Sequence, residues 1–258
     1  RWYKVEVKRN HGMSRTVPAV TEKVVVAIGP RCHVTCTDAV TGDFKWGLDL
    51  ARDFGSTVPL WYTAQCPLID GTTVVLAPGG KVLMMGVDCE TGRVAWQTPN
   101  PRGWNMSYSS IVPTTFAGKR IYLYAAIGGM AAVSADEKDR GALLWETTGW
   151  NHAVVAPSPV TLGDGRLFLT AGYGVGSAMF AMTEKAGALG VEKIYSLDRR
   201  VFACEQHTPV YWQGHLYAVL PNDAEDLKRQ FVCLDPVGKV VWSSGKEPAA
   251  YARPVAVD

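Results

Sequence analysis

A large aromatic residue returns along this chain at a nearly constant interval. Successive positions are separated by 50, 49, 50 and 47 residues. They are Trp46, Trp96, Trp145, Tyr195 and Trp242. A proline keeps nearly the same period, at Pro18, Pro67, Pro113, Pro159, Pro209 and Pro254. Two independent residue types with one period indicate an internal repeat, which predicts an array of similar structural units.

One unit reads as four short strands joined by turns. In the second unit the apolar or β-branched segments are 66–69, 72–77, 82–87 and 93–98. Asp70-Gly71, 78–80 and 90–92 supply the turn residues between them. Four antiparallel strands in about 45 residues are typical of one propeller blade. The sequence therefore predicts an all-β propeller without amphipathic helices, apart from one possible helical turn within 222–230.

The repeat also predicts the domain organisation. We expect one β-propeller domain over 1–258, with five complete blades at about 15–64, 65–108, 109–153, 154–203 and 204–250. Residues 1–14, which place Trp2 on the aromatic interval, read as the end of an earlier partial blade. Residues 251–258 read as the start of a later one. We therefore expect the chain to be part of a longer polypeptide, and its open blade edges to favour association.

The composition excludes several classes of partner. The net charge is +2, too small to predict binding to nucleic acid or to an anionic membrane surface. No apolar run is long enough to span a membrane. The six cysteines are dispersed, and in a domain of this size we expect buried thiols. No metal site is predicted.

A turn motif precedes the recurring tryptophan. Residues 38–46 and 88–96 share the pattern D-x-x-T-G-x-x-x-W, and 235–242 repeats it with one residue deleted. Asp and Thr hydrogen-bond the turn, and Gly supplies a left-handed residue. The tryptophan is expected to pack on the next blade, where its N–H needs an acceptor. The residues assigned to this structural role are Asp38, Gly42, Trp46, Asp88, Gly92, Trp96, Trp145, Asp235, Gly238 and Trp242.

This motif resembles the tryptophan-docking repeat of the pyrroloquinoline-quinone-type (PQQ-like) β-propellers. The resemblance implies a ring of seven or eight blades and a periplasmic or extracellular location. The family includes quinoprotein alcohol dehydrogenases and non-catalytic scaffold proteins. Here the resemblance is closer to the scaffold members, since a quinoprotein dehydrogenase is expected to show two adjacent cysteines and this chain has none.

Candidate binding residues precede the recurring prolines. In a propeller the first strand of each blade lines the axis, so these residues are expected to converge at one end of the channel. The candidates are Arg15, Gln65, Trp104, Asn105, Trp150, Asn151, His152, Glu205, Gln206 and His207. Trp61, Tyr108, Ser110 and Ser158 belong to the wider set. The two Trp-Asn pairs either form part of an aromatic-walled pocket or close the loops between blades.

Three functions remain open at this stage. The first is a non-catalytic scaffold that binds a protein, peptide or small molecule at the axial funnel, with no catalytic residue and no cofactor. The second is a PQQ-dependent alcohol or sugar dehydrogenase, which alone would require PQQ and calcium. The third is a glycan-binding propeller that uses the tryptophans. Enzymatic activity is left undecided by the residues, although the scaffold is favoured.

Overall fold

Five antiparallel sheets of four strands make up the described part of the protein. The computed structural model describes residues 15–245. Within every sheet the strands are hydrogen-bonded in chain order, the arrangement expected of propeller blades. This confirms the prediction of an all-β propeller. The partial blades expected at 1–14 and 251–258, together with Trp2 and Pro254, lie outside the described residues.

The strands of the five blades have the following bounds. Blade one contains β1 (Ala19–Val20), β2 (Val24–Ile28), β3 (His33–Asp38) and β4 (Phe44–Asp49). Blade two contains β5 (Leu68–Asp70), β6 (Thr73–Leu76), β7 (Val82–Asp88) and β8 (Val94–Pro99). Blade three contains β9 (Val112–Phe116), β10 (Lys119–Ala126), β11 (Gly129–Ser134) and β12 (Leu143–Thr147). Blade four contains β13 (Val160–Thr161), β14 (Arg166–Ala171), β15 (Gly176–Lys185) and β16 (Ala188–Leu197). Blade five contains β17 (Val210–Trp212), β18 (His215–Val219), β19 (Phe231–Leu234) and β20 (Val240–Ser243).

Between residues 15 and 245, two short helices interrupt this pattern. The 3₁₀ turn Glu225–Leu227 lies within the segment where one helical turn was expected. The helix α1 (Leu50–Phe54) was not predicted, because five residues are too few to show a helical periodicity. Its ends are nevertheless capped in the usual way: the Asp49 side chain accepts from the Arg52 amide, and Gly55 ends the helix at φ 73°.

The core lies between the blades and forms four clusters. Successive side chains of a strand point to opposite faces of the sheet. Val74 therefore packs toward blade one and Val75 toward blade three. In blade four, Leu167 packs toward blade three and Phe168 toward blade five. Middle blades bury both faces of their sheets, which explains why all four residues of β6 are buried.

The aspartates of the repeated motif hold the turn between third and fourth strands. Asp38 Oδ1 accepts from the amides of Val40 and Thr41. Asp88 accepts from the Thr91 amide and hydroxyl. These hydrogen bonds favour the ionised form and hold the pKa of both carboxyl groups below the usual range. In blade five, Asp235 accepts from the amides at 237 and 239.

Aromatic rings from three fourth strands contact a glycine of the following blade. A Cβ placed on Gly92 would lie 2.6 Å from Trp46 Cγ. A Cβ on Gly141 would lie 2.7 Å from Trp96 Cε3. The contact is looser at Gly238, where a Cβ would lie 3.3 Å from Tyr195 Cε2 and 3.0 Å from Leu197 Cδ2. The Trp46 Nε1–H donates to the Cys89 carbonyl at 2.7 Å. The Tyr195 hydroxyl donates to the Pro236 carbonyl at 3.1 Å. Within the described residues the buried Nε1 atoms of Trp96 and Trp145 have no hydrogen-bond partner, so of these three tryptophans only Trp46 has the expected acceptor.

The two remaining rings of the series differ. Trp145 is buried in the cluster between blades three and four. Trp242 is 43% exposed and packs on Tyr217 and Phe231 of its own blade.

In the part of the chain that the structure describes, no helix is long and apolar enough to cross a membrane.

Candidate functional site: an axial cavity

A chain of hydrogen bonds joins the segments that lead into the first strands of the five blades. The Val17 amide approaches Cys66 Sγ at 3.3 Å, and the Cys66 amide donates to Ser110 Oγ at 3.0 Å. The Ser110 amide donates to Ser158 Oγ at 3.0 Å, and the Ser158 amide donates to Thr208 Oγ1 at 2.9 Å. Each step crosses from one blade to the next, which fixes the inner edge of the array.

A cavity of about 610 Å³ lies against this inner edge. Its size is that of a small-molecule site. Residues preceding the first strands of all five blades contribute to it, together with the turn between β14 and β15. The lining residues are Arg15, Trp61, Ala64, Tyr108, Ser110, Val154, Ala156, Ser158, Tyr173, Glu205, Gln206 and Thr208.

Three aromatic rings form one wall of the cavity. Trp61 belongs to the long connection between blades one and two, and its ring centroid lies 5.8 Å from that of Tyr173 at an interplanar angle of 20°. The Tyr108 ring centroid also lies 5.8 Å from that of Trp61, and the two rings are inclined by 36°. The Trp61 amide also donates to the Tyr108 hydroxyl at 3.2 Å. These contacts join segments from three different blades.

Contacts with blade five position the turn that carries Tyr173. Tyr173 has φ 58°, and its neighbour Gly174 donates its amide to Asp223 Oδ2 at 2.9 Å. A Cβ on Gly172 would lie 2.7 Å from Glu205 Cα, so only glycine allows this close approach. The Tyr173 side chain is 51% exposed and presents its ring to the cavity.

The two cavity tyrosines keep their protons at neutral pH. Burial raises the pKa of Tyr108, although the Trp61 amide and the Arg15 charge partly oppose it. Burial, and then the negative charge of Glu205, raise the pKa of Tyr173. Both hydroxyl groups are therefore neutral and available for hydrogen bonding.

Three of the ten candidate binding residues line the cavity, namely Arg15, Glu205 and Gln206. Gln65 does not, although it was placed there by the sequence. It is fully buried, and its amide bonds the Ala77 backbone in both directions and the Tyr124 hydroxyl. Because these hydrogen bonds join blade two to blade three, Gln65 has a structural role, and its assignment to the binding site was wrong.

The two candidate tryptophans are also corrected to structural residues. Trp104 is buried between blades two and three, with its ring against Gly128 and Gly129. Trp150 is buried between blades three and four, and His152 meets it edge-on at 4.4 Å. Rings enclosed in the core cannot face a ligand in the channel. The alternative in which the Trp-Asn pairs close loops between blades is the one that fits.

The remaining four candidates do not line the cavity. Asn105 is exposed and its backbone pairs with Ile127. Asn151 is exposed, and His152 is half-buried with a pKa lowered by burial and then by Lys193. His207 is half-buried. Its neighbours Gln206 and Thr208 line the cavity instead.

Tyr173 is the lining aromatic that the sequence analysis missed altogether. It lies in a glycine-rich hairpin turn, 172–176, which is distant from every recurring proline. A large aromatic between two turn glycines is a usable signal, because such a ring has no place in the repeat's own core.

The residues present do not fit a calcium-bound quinone. Calcium takes six to eight oxygen ligands, commonly from several carboxylates. Glu205 is the single carboxylate among the cavity-lining residues, and Asn105 and Asn151 lie elsewhere. Across residues 15–245 no group of three or more His, Cys, Asp or Glu is placed to hold a metal ion. All six cysteines are free thiols.

This chain is similar to known proteins in sequence and in fold. The family model described as "Outer membrane protein assembly factor BamB" matches residues 2–198. No curated protein matches the sequence at a significant level. BamB from Moraxella catarrhalis is similar in structure, with a TM-score of 0.57 and 16% identity over 89% of this chain. The chain covers 61% of that protein's length.

Two further solved structures share the fold. The quinohemoprotein alcohol dehydrogenase ADHIIG from Pseudomonas putida HK5 matches with a TM-score of 0.51 and 15% identity, over 90% of this chain and 42% of its own. The β-propeller domain of Cps50 (Swd1) from Myceliophteria thermophila matches with a TM-score of 0.52 and 10% identity, over 86% and 69%. With the repeat motif, the five four-stranded blades and the family match over most of its length, the chain belongs to the BamB-like family of PQQ-type β-propellers.

Proposed function

We propose that this protein is a non-catalytic binding scaffold whose axial cavity holds a ligand or a segment of a partner protein. The supporting observation is the convergence of all five described blades on one cavity of about 610 Å³. Its aromatic wall and its polar residues come from loops fixed by inter-blade hydrogen bonds. Preorganised concave sites of this kind are the usual places for ligands on a rigid fold.

The family match favours a protein partner within this proposal. BamB is described as an assembly factor of outer membrane proteins, and we infer from this likeness that the present chain acts in the periplasm or at the cell surface. The edges of the first and last described blades are proposed as further contact surfaces. Exposed apolar side chains such as Val20 in blade one, and Val241 and Trp242 in blade five, are consistent with these contacts.

Filling the cavity tests the proposal. Ala156 lines the cavity, so Ala156→Trp is expected to abolish binding of any axial ligand while the fold is retained. Val40→Trp is the matched control, because Val40 is 86% exposed on a turn outside the cavity. Binding is measured with purified protein by pull-down from a periplasmic extract and by calorimetry with the recovered ligand. Equal binding by both variants would refute a site in the cavity.

An activity assay addresses the dehydrogenase alternative. Protein is incubated with PQQ, calcium, an alcohol or aldose and an artificial electron acceptor. The proposal expects no turnover above a heat-denatured control. Turnover that Ala156→Trp abolishes would replace the scaffold with an enzyme.

A further inference from the structure

The chemistry of the cavity wall identifies the class of ligand, on the premise that the axial cavity is a binding site. The Trp61 and Tyr173 rings are nearly parallel and belong to the cavity lining. Tyr173 is half exposed. Trp61 is half-buried, and a partly exposed aromatic ring such as that of Tyr173 suits a flat, weakly polar surface that carries C–H groups. The ring of a pyranose sugar presents such a surface.

A row of hydroxyl groups lies on the same cavity. Ser110, Ser158 and Thr208 each accept an amide hydrogen from the neighbouring blade. Within the described residues none of the three donates a side-chain hydrogen bond, which leaves three O–H donors for a ligand. A ligand rich in oxygen acceptors satisfies them, whereas an apolar ligand would bury them without partners.

The charges of the cavity favour a ligand without net charge. Arg15 and Glu205 have opposite signs and line the same space. A ligand with one charge would meet a like charge from one of them, while a neutral polyol accepts from a guanidinium and donates to a carboxylate. Gln206 adds a side chain that both donates and accepts.

The inner edge is poorly suited to an extended peptide. Peptides that add to a sheet edge need unpaired amide groups. Here the amides of Cys66, Ser110 and Ser158 are already used between blades. From these observations we propose that the axial cavity binds a short neutral oligosaccharide, stacked on Trp61 and Tyr173 and hydrogen-bonded by the row of hydroxyl groups and by Glu205.

The test is titration of the purified protein with cellotriose, maltotriose and diacetylchitobiose, followed by isothermal calorimetry. At least one of these probes is expected to bind. Trp61→Ala is expected to weaken that binding about tenfold or more, since aromatic anchors dominate such sites, and Trp61→Phe is expected to retain part of it. Trp212→Ala is the matched control, because Trp212 is 54% exposed on β17 and does not line the cavity. Circular dichroism melting verifies that every variant folds.

Two further probe sets separate the possible failures. Capped tripeptides and trigalacturonate are titrated in parallel. Binding of tripeptides or of trigalacturonate with dependence on Trp61, and no binding of the neutral saccharides, overturns the saccharide assignment and leaves the binding scaffold intact. Saccharide binding that is unchanged in Trp61→Ala also overturns the assignment. Absence of binding by every probe overturns the assignment, while the extract pull-down still decides the scaffold independently.

Discussion

The seam between blades one and two gives a quantitative test of the fold. Gly92 has φ 70°, and a Cβ on it would lie 2.6 Å from Trp46 Cγ and 2.8 Å from Cδ2. Gly42 is the equivalent glycine of blade one, with φ 77° and no described atom within 4 Å of its Cβ position. The same substitution at these two glycines therefore separates backbone strain from inter-blade packing.

The expected destabilisation follows from these two contributions. A left-handed alanine costs roughly 1–2 kcal/mol, which both Gly42→Ala and Gly92→Ala incur. Gly92→Ala adds overpacking of about 1–3 kcal/mol, because Trp46 is buried and held by its hydrogen bond to Cys89. We therefore expect about 2–5 kcal/mol for Gly92→Ala, which lowers Tm by about 2–4 °C per kcal/mol in a chain of this size.

Thermal and urea unfolding of both variants measures these free energies. The double variant Trp46→Ala, Gly92→Ala completes the cycle, and in the Trp46→Ala background the glycine substitution should cost only the backbone contribution. Equal destabilisation by Gly42→Ala and Gly92→Ala would refute the packing argument. An unchanged cost of Gly92→Ala in the absence of Trp46 would do the same.

Three other perturbations have defined outcomes. Gln65→Ala leaves the buried Ala77 amide and carbonyl without their side-chain partner, so urea unfolding should show a loss of about 2–6 kcal/mol, with ligand affinity unchanged once the protein is folded. Asp223→Ala removes the acceptor of the Gly174 amide. The loss of axial binding free energy, measured by calorimetry, should exceed the loss of unfolding free energy, measured by thermal melting. A larger loss of unfolding free energy would contradict the role of Asp223 in positioning Tyr173. For Asp70, partial burial raises the pKa, but the Tyr122 hydroxyl and Arg120 outweigh it and the pKa is lowered. A carboxyl group whose pKa is lowered by folding stabilises the folded state at pH values above its unfolded pKa of about 4, and this stabilisation is lost as the pH falls. The difference in unfolding free energy between wild type and Asp70→Asn, measured in urea, should therefore narrow below about pH 4. A difference that does not change with pH would exclude this linkage.

The sequence predicted the blades well because the relevant signals are local. The interval from Trp46 to Trp96 spans one unit, and the Asp-Thr-Gly turns hydrogen-bond within a few residues. The helix α1 was missed because its five residues carry no periodicity. Its capping residues Asp49 and Gly55 were visible, although a single cap pair without a helical pattern is weak evidence.

The site was predicted less well because it depends on contacts between blades. Proximity to a recurring proline placed Arg15, Glu205 and Gln206 at the axis, and the structure has them on the cavity. The same rule failed for Trp104 and Trp150, since a loop residue before a strand can turn into the core as easily as toward the channel. Large apolar rings gain more by burial between blades than by exposure at the axis.

The sequence by itself determined the repeat, the all-β blades and the residues that build their turns, because strand periodicity and turn chemistry act over a few residues. Only the tertiary structure decided which side chains meet at the axis. Trp61, Tyr108 and Tyr173 are separated by more than 45 residues at each step, and they come together because neighbouring blades pack their alternating faces against one another and so fix the course of the connecting loops.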